Sequence, residues 1–232
     1  MRNVIQRSND MNIVFFDIGA HAGQHSLFMS QYISTIHAFE PYPPLVTRFT
    51  EMININKIKN IFLHPVGLGD RNESIPFYEP PLRNTGVGSF MNKWYARNEE
   101  ILINLEIVKG DDLPQEILAK IDLIKLDTEG YEKNIIKGMR NSLHTNRPIV
   151  VMELNVGGEQ MWKSEGDIYS TYPSNYKILY LEPLDSPSSG KYRLSRFDFD
   201  FSLPRNIEKP EDHPNIVLYP SEKETLILSI AL

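Results

Sequence analysis

The sequence predicts an α/β fold, a doubly wound and mostly parallel sheet with helices on both faces. Two observations favour this fold. Short apolar segments alternate with helical patterns from residue 12 to about residue 155. The segment 148–154 is apolar almost throughout, as in strands buried on both faces of a parallel sheet. A chain of 232 residues can bury one substantial core, so we expect a single domain over residues 1–232.

The first third of the chain predicts three strands and two helices. The strands are 12–16, 35–39 and 60–66, and the helices are 22–33 and one that opens at Pro43-Pro44. Apolar residues recur at four-residue spacing in the first helix, as the pairs Phe28/Tyr32 and Met29/Ile33. Proline suits the first turn of a helix, and the apolar stripe after it is Leu45, Phe49, Met52 and Ile53.

The alternation fails between residues 67 and 109, where prolines and glycines interrupt the pattern. Short β pieces, such as 74–78, are expected there together with substrate loops. Regular elements then return. The strands are 121–126 and 148–154, with a helix between them whose stripe is Tyr131, Ile135, Met139 and Leu143. The tail, 156–232, holds two more strand candidates at 176–181 and 225–230, separated by a segment rich in Pro, Ser and charge at 185–220.

Composition excludes several kinds of chemistry. The chain has no cysteine, which excludes disulfides, cysteine-ligated zinc, iron–sulfur clusters and thiolate nucleophiles. It has 24 basic and 30 acidic residues, a net charge of −6, which argues weakly against a broad nucleic-acid surface. No run of ~18 apolar residues and no signal-peptide pattern is found. We therefore expect a cytoplasmic protein with no membrane and no nucleic-acid partner.

The most informative segment runs from Val14 to Ser26, where a strand meets a glycine turn and then a helix. Its Gly19-x-x-x-Gly23 spacing lacks the middle glycine of the dinucleotide fingerprint. Asp17 at the strand end would repel a diphosphate but would attract a cationic amino group. This charge pattern favours a ligand such as S-adenosylmethionine. The alternative is an ordinary strand-turn-helix connection without a ligand.

A second acid follows the second strand in the segment Ala38-Phe39-Glu40-Pro41. Glu40 lies 23 positions after Asp17, close to the ~20-residue offset at which doubly wound folds place the acid that binds ribose hydroxyls. The alternative is a surface glutamate.

The third motif is Lys125-Leu-Asp-Thr-Glu-Gly-Tyr-Glu132, at the end of an apolar strand. Ligands bind at the carboxyl ends of such strands, so Asp127 and Glu129 are candidates to act on a substrate. The alternative is that Asp127 or Thr128 caps the following helix and that Glu129 and Glu132 complement its positive end. An ordinary carboxylate, with a pKa of about 4, is a weak base toward an alcohol. Catalysis would then require late proton transfer, a raised pKa or a metal.

Other polar and aromatic residues are weaker candidates. His21 and His25 could line the ligand pocket, and no histidine spacing predicts a metal site. For Asp111, Asp112 and Glu153, a structural role is the stronger expectation. The aromatic residues Tyr42, Phe77, Tyr78, Trp94 and Tyr95 could stack on an adenine or a sugar, although core packing is the commoner role.

Together these motifs resemble the FkbM family of S-adenosylmethionine-dependent methyltransferases. The likeness covers about residues 12–155 and includes Val66-Gly-Leu-Gly-Asp70 and Val151-Met-Glu-Leu154, with the Lys-hydrophobic-Asp-x-Glu-Gly segment as its most diagnostic part. It implies a class I, Rossmann-like methyltransferase fold with a seven-stranded sheet whose last strand is antiparallel. It also implies O-methylation of a hydroxyl on a sugar, a glycan or another natural product.

The resemblance further implies roles for individual residues. The cofactor-binding set would be Asp17, Gly19, Ala20, His21, Gly23, Glu40, Pro41, Val66 and Gly67. Asp127 and Glu129 would face the methyl group and the acceptor. Ser89, in the segment 84–90, and Glu153 would contact the acceptor. If a divalent metal assists, Asp127, Glu129 and Glu153 are the first candidate ligands.

Three rival functions remain open to different degrees. A methyltransferase acting on an amine or a nucleic acid is the nearest, although the Asn/Asp-Pro-Pro-aromatic turn of DNA adenine methylases is absent after Leu126. A nicotinamide-dependent reductase would need the missing glycine and a Tyr-x-x-x-Lys proton donor. A non-catalytic module would keep the fold to bind a partner. The sequence indicates neither the acceptor nor the oligomeric state.

Overall fold

The computed structural model describes residues 1, 12–78, 102–128, 130–154, 162–183, 192–201 and 214–230. The strands are β1 (Val14–Ile18), β2 (Thr35–Phe39), β3 (Ile61–His64), β4 (Gly67–Gly69), β5 (Glu73–Tyr78), β6 (Leu102–Lys109), β7 (Leu123–Leu126), β8 (Ile149–Glu153), β9 (Tyr176–Pro183), β10 (Tyr192–Arg196) and β11 (Asn215–Pro220). The helices are α1 (Gln24–Met29), α2 (Pro43–Ile55), α3 (Gln115–Leu118), α4 (Glu132–Gly138), α5 (Arg140–Asn146), α6 (Glu165–Thr171) and α7 (Glu224–Ile230). Short 3₁₀ turns cover Gly110–Asp112 and Ser221–Lys223.

Over the described residues, the main sheet has eight strands in the order β10-β9-β11-β8-β7-β1-β2-β3. Strands β8, β7, β1, β2 and β3 pair in parallel, and β11 lies antiparallel between β8 and β9. The expected antiparallel last strand is therefore present as β11. The expected count of seven strands is wrong, because β10 pairs antiparallel with the outer edge of β9 and adds an eighth strand.

Helices cover both faces of this sheet, as predicted. Successive side chains of a strand point to opposite faces, so Phe16 and Phe15 enter different cores. Phe16 packs in a cluster with Ile135 of α4 and Ile168 of α6. Phe15 packs in a second cluster that contains Met29 of α1, Phe49 of α2 and Ile227 of α7. Among the residues that the structure describes, no helix is both long and apolar enough to cross a bilayer.

A separate three-stranded sheet, in the order β4-β6-β5, occupies part of the region where the alternation fails. The β piece at 74–78 is confirmed within β5, whereas β6 was not predicted. This sheet packs closely on α4, because a Cβ atom added to Gly138 would lie 1.7 Å from the carbonyl oxygen of Gly69. The small sheet thus has a fixed position next to the helix that follows Asp127.

The predicted helix after Asp127 is two helices, α4 and α5, which meet at Met139. The four residues of its stripe are nevertheless all buried. The break has a local cause. Asp111 accepts hydrogen bonds from the backbone N–H groups of Asn141 and Ser142 and from the Ser142 hydroxyl, at 2.8, 2.9 and 2.6 Å. Asp111 therefore caps the first turn of α5 from another element and has a structural role.

The C-terminal prediction was wrong in two places. Residues 225–230, expected as a strand, belong to α7, and the segment 185–220, in which no strand was predicted, contains β10 and β11. Short apolar runs fit either element. Helix α7 buries Ile227 and leaves Leu228 52% exposed. Helix α1 is also shorter than expected, and its Phe28 is 49% exposed although Met29 is buried.

Candidate active site

Four acidic residues lie at the carboxyl ends of neighbouring strands. Asp17 is the second-last residue of β1, Glu40 follows β2, Asp127 follows β7, and Glu153 ends β8. These strands are parallel, so their carboxyl ends meet at one edge of the sheet. This edge is where open α/β sheets bind their ligands.

The glycine turn after β1 depends on both of its glycines. Gly19 and Gly23 have φ values of 75° and 83°, a region that disfavours residues with a Cβ atom. The N–H groups of Gly19 and Ala20 both donate to the carbonyl oxygen of Phe39, at 3.1 Å. A Cβ atom at Gly23 would lie 2.1 Å from the ring of Phe49, so Gly23 allows α2 to approach the turn. The turn is thereby fixed to β2 and α2.

Glu40 is a buried carboxylate that organises the same turn. Its Oε2 accepts the backbone N–H of His21 and its Oε1 accepts that of Tyr42, both at 2.9 Å. Burial raises the pKa of Glu40, and the two backbone donors and the Lys125 charge oppose that rise. A carboxylate has about four acceptor sites, so each oxygen can still accept another donor.

Asp17 is completely buried, and its two oxygens differ. Oδ2 accepts a hydrogen bond from the Ser26 hydroxyl at 2.6 Å. Oδ1 has no hydrogen-bond partner among the described residues, and it lies 3.7 Å from the Nζ atom of Lys125. A buried acceptor without a donor is costly, so this oxygen can receive a donor from a ligand.

Lys125 lies at the centre of the acidic cluster, and the sequence reasoning assigned it no role. Its Nζ donates to the carbonyl oxygen of Gly19 at 3.2 Å and lies 3.3 Å from Oδ2 of Asp127. Burial by itself would lower the pKa of Lys125, but the charges of Asp17, Asp127 and Glu153 raise it above its ordinary value. The side chain is therefore an ammonium cation. The sequence feature that could have indicated a role for Lys125 is its position as a lysine inside an otherwise apolar strand.

The loop after β7 is held from both sides. The N–H of Asp127 donates to the carbonyl oxygen of Ile18 at 3.2 Å. The buried carboxylate of Glu132 accepts the N–H groups of Thr128 and Gly130, at 2.8 and 3.2 Å, and the Thr128 hydroxyl, at 3.1 Å. Burial raises the pKa of Glu132. Glu132 thus fixes the loop as well as complementing the helix end, a function that the sequence reasoning missed.

Among the remaining predicted cofactor residues, Pro41 and Gly67 lie close together. A Cβ atom at Gly67 would lie 2.6 Å from Cδ1 of Ile107 and 3.4 Å from Cγ of Pro41. Val66 is half-buried and packs against the core on the α4 side. His21 has a φ of 53° and contributes its backbone N–H to Glu40. The structure therefore brings most of the predicted cofactor set to one edge of the sheet.

Other predicted residues have different outcomes. Glu129 and Ser89 lie outside the described residues, as do Trp94 and Tyr95. Tyr42 and Phe77 are buried and in contact, with ring centroids 5.4 Å apart, so they serve the core. Within the described ranges, no group of three or more His, Asp or Glu side chains could hold a metal ion.

Comparisons with known proteins identify a family of methyltransferases. Residues 17–179 match the family model described as the methyltransferase FkbM domain. The hexuronic acid methyltransferase AglP of Haloferax volcanii is 27% identical over 147 residues, which are 62% of this chain and 56% of that protein. Methyltransferase 1 of Beauveria bassiana is 25% identical over 156 residues, or 60% of this chain and 63% of that protein.

A solved structure shares the fold. The crystal structure of methyltransferase FkbM from Methylobacillus flagellatus superposes with a TM-score of 0.54 at 14% identity, over 90% of this chain and 44% of that one. The chain thus spans less than two thirds of the length of each of these three proteins.

Proposed function

The chain belongs to the FkbM methyltransferase family, with S-adenosylmethionine as its cofactor. We propose that it methylates a hydroxyl of a sugar, a glycan or a related natural product. The observation that carries this proposal is the position of Asp127. Its side chain is 42% exposed, and it lies at the strand end next to the glycine turn. The similarity to a hexuronic acid methyltransferase supports a sugar acceptor.

The residues at the strand ends fit the cofactor. Oδ1 of Asp17 is a buried acceptor without a donor, which suits a cationic amino group. Glu40 retains acceptor capacity on both oxygens, which suits a pair of ribose hydroxyls. Pro41, Val66 and Gly67 would flank the adenine, and Gly19, Ala20 and Gly23 would frame the methionine end. When bound, S-adenosylmethionine supplies a methyl group that its sulfonium has already activated.

The main task left to the chain is to orient the acceptor. Asp127 would accept a hydrogen bond from the acceptor hydroxyl and direct its oxygen, with Glu129, Glu153 and Ser89 as further acceptor contacts. Positioning of this kind can supply ~7–11 kcal/mol of a barrier. Because Lys125 is cationic, it can donate a hydrogen bond but cannot take the proton. Asp127, with Glu129 as the second candidate, would receive the hydroxyl proton as transfer proceeds.

Two alternatives are less well supported. A nucleic-acid acceptor would require basic contacts, whereas the described strand ends carry four carboxylates around one lysine. A non-catalytic binding module would not need to retain a buried Oδ1 atom of Asp17 that receives no hydrogen bond. An amine acceptor differs from a hydroxyl acceptor only in the atom methylated, so experiment must separate the two.

The test begins with calorimetry of the purified protein with S-adenosylmethionine and, as the control ligand, NAD. Binding of the first alone is expected. Transfer of a labelled methyl group is then measured with neutral hexoses, hexuronic acids and amino sugars. A label on a hexose or hexuronic acid that survives mild alkali is an ether and supports the proposal. An alkali-labile label is a carboxyl ester, and label found only on amino sugars, on nitrogen, would contradict hydroxyl methylation. Cofactor binding without transfer to any acceptor of the panel would also count against it.

A further inference from the structure

We propose that Lys125 is a positioning residue for methyl transfer. Its buried ammonium joins the carboxylate of Asp127 to the glycine turn at Gly19, so one cation connects the part of the site that binds the cofactor with the part that receives the acceptor. This inference rests on the proposed hydroxyl methylation, because it assigns Asp127 to the acceptor.

The contacts of the ammonium run from the interior to the solvent. Asp17, Lys125 and Asp127 have 0%, 9% and 42% of their side-chain surface exposed. Asp17 and Lys125 are register partners on the adjacent strands β1 and β7. From this rigid base, Nζ reaches the carbonyl oxygen of Gly19 at 3.2 Å and Oδ2 of Asp127 at 3.3 Å. Of these three side chains, only that of Asp127 is exposed enough to face an incoming acceptor.

The charges around Lys125 explain why it stays in place. Asp17 faces it from β1, His25 from α1, Asp127 from the loop after β7, and Glu153 from β8. A buried ion is costly unless it is paired, and here carboxylates surround a single ammonium. An ammonium has three donors, two of which are directed to Gly19 and Asp127. Asp127 therefore cannot rotate away without leaving a buried cation short of a partner.

A neutral replacement tests this role, with a double-mutant cycle as the control. Lys125→Met should bind S-adenosylhomocysteine with a Kd within about tenfold of the native value, because Asp17, Ser26 and Glu40 remain. Its turnover should fall ~10²-fold, as misplacement of a reacting group by about 1 Å does. Lys125→Met combined with Asp127→Asn should lose little more than Asp127→Asn alone. Native-like turnover in Lys125→Met, or losses that multiply, would overturn the proposal.

A chemical rescue distinguishes loss of the Lys125 ammonium from misfolding of the variant protein. The chain has no cysteine, so Lys125→Cys creates a unique thiol. Alkylation with bromoethylamine under denaturing conditions, followed by refolding, restores an ammonium at nearly the native length. Recovery of at least a tenth of native turnover in the alkylated protein, but not in the unalkylated one, supports positioning. Equal turnover in the two would contradict it.

An acceptor-free measurement separates this inference from the proposed function. An ammonium enclosed by Gly19 and Asp127 should exchange its protons slowly and give a ¹H–¹⁵N signal that is absent in Lys125→Arg. Asp127→Asn should shift or broaden this signal. If no acceptor is methylated but the signal responds in this way, only the proposed reaction fails. If Asp127→Asn leaves the signal unchanged, the coupling of Lys125 to Asp127 is wrong whichever acceptor is used.

Discussion

Gly19 packs directly against the backbone of Asp127: a Cβ atom at residue 19 would lie 1.9 Å from the carbonyl oxygen of Asp127. The contact joins the ends of β1 and β7, two neighbouring strands of the main sheet. The turn that would hold the cofactor and the residue that would orient the acceptor thus share one backbone contact. Any change that separates them should affect both functions together.

Gly19→Ala should damage both stability and cofactor binding. The substitution forces a Cβ atom into a left-handed conformation, which costs ~1–2 kcal/mol, and it also collides with Asp127. We expect S-adenosylhomocysteine to bind more than tenfold more weakly in calorimetry. The matched control is Gly166→Ala in α6, where the nearest atom to a new Cβ is 3.8 Å away, so binding should be unchanged.

Glu40→Ala should weaken binding of the cofactor by roughly 10- to 100-fold, since it removes hydrogen bonds to a charged group. Methylthioadenosine keeps the ribose but lacks the amino-acid tail, so its affinity should fall by the same factor. Calorimetry at a temperature where the variant remains folded gives both values. If affinity is unaltered, Glu40 does not bind the ribose.

Asp127→Asn should lower turnover by ~10²-fold or more while the Kd of the cofactor stays within about tenfold. The substitution keeps the shape of the side chain but removes its ability to accept the hydroxyl proton. Steady-state kinetics with an acceptor from the panel measure the effect. Asp112→Asn, at an exposed carboxylate in the 3₁₀ turn after β6 that accepts a hydrogen bond from Asn72, should retain native turnover. Native rates in Asp127→Asn would exclude it as a base or an orienting group.

Glu132→Ala should lower the free energy of unfolding by about 1–3 kcal/mol, because it leaves the N–H groups of Thr128 and Gly130 without their acceptor. Glu132→Gln keeps one acceptor oxygen and should lose less. Urea unfolding measures both. The exposed Glu116 of α3 provides the control, and Glu116→Gln should stay within about 0.5 kcal/mol of native. A similarly small change in Glu132→Ala would show that the loop does not depend on this carboxylate.

The pH dependence of stability should include a contribution from His37. Its Nδ1 lies 3.0 Å from Nε2 of His64, and burial, followed by the His64 charge, lowers the pKa of His37 to about 4. The unfolded chain has the ordinary value near 6.5, so it binds more protons as the pH falls. The stabilisation is complete above about pH 6.5 and is lost as the pH falls toward 4.

His37→Phe keeps the ring contact with Phe16 but does not titrate, so its melting temperature should fall less between pH 7 and pH 4.5. Thermal unfolding monitored by circular dichroism across this range gives the slope. His144→Gln, at an exposed site in α5, should retain the native slope. An unchanged slope in His37→Phe would assign the acid sensitivity to other groups.

Much of the N-terminal half was predictable because its periodicity is unambiguous. The strand at 35–39 matches β2, and the helix opening at Pro43 is α2, since apolar spacing and helix-start proline agree there. The tail was not predictable in the same way. Its apolar run at 225–230 suits a strand or a buried helix face equally well, and tertiary packing of Ile227 decides for the helix.

The candidate site also has a part that the sequence could predict and a part that it could not. The acids at the strand ends were identifiable, because strand direction alone places Asp17, Glu40 and Asp127 at one edge. The contacts that hold these acids in place could not be identified from the sequence. The position of Lys125 between two carboxylates depends on the register of β1 and β7, and the bonds from Glu132 depend on the path of the loop. Neither register nor loop path can be derived from local spacing.

The insertion of β11 between β8 and β9 has a consequence for the order of folding. Both neighbours precede β11 in the chain, so the sheet stays in two pieces until residues 215–220 pair with them. On the ribosome, the β9–β10 hairpin has no partner in the sheet until then, and β8 keeps an open edge. Completion of the sheet is therefore a late step, which closes a contact between distant parts of the chain.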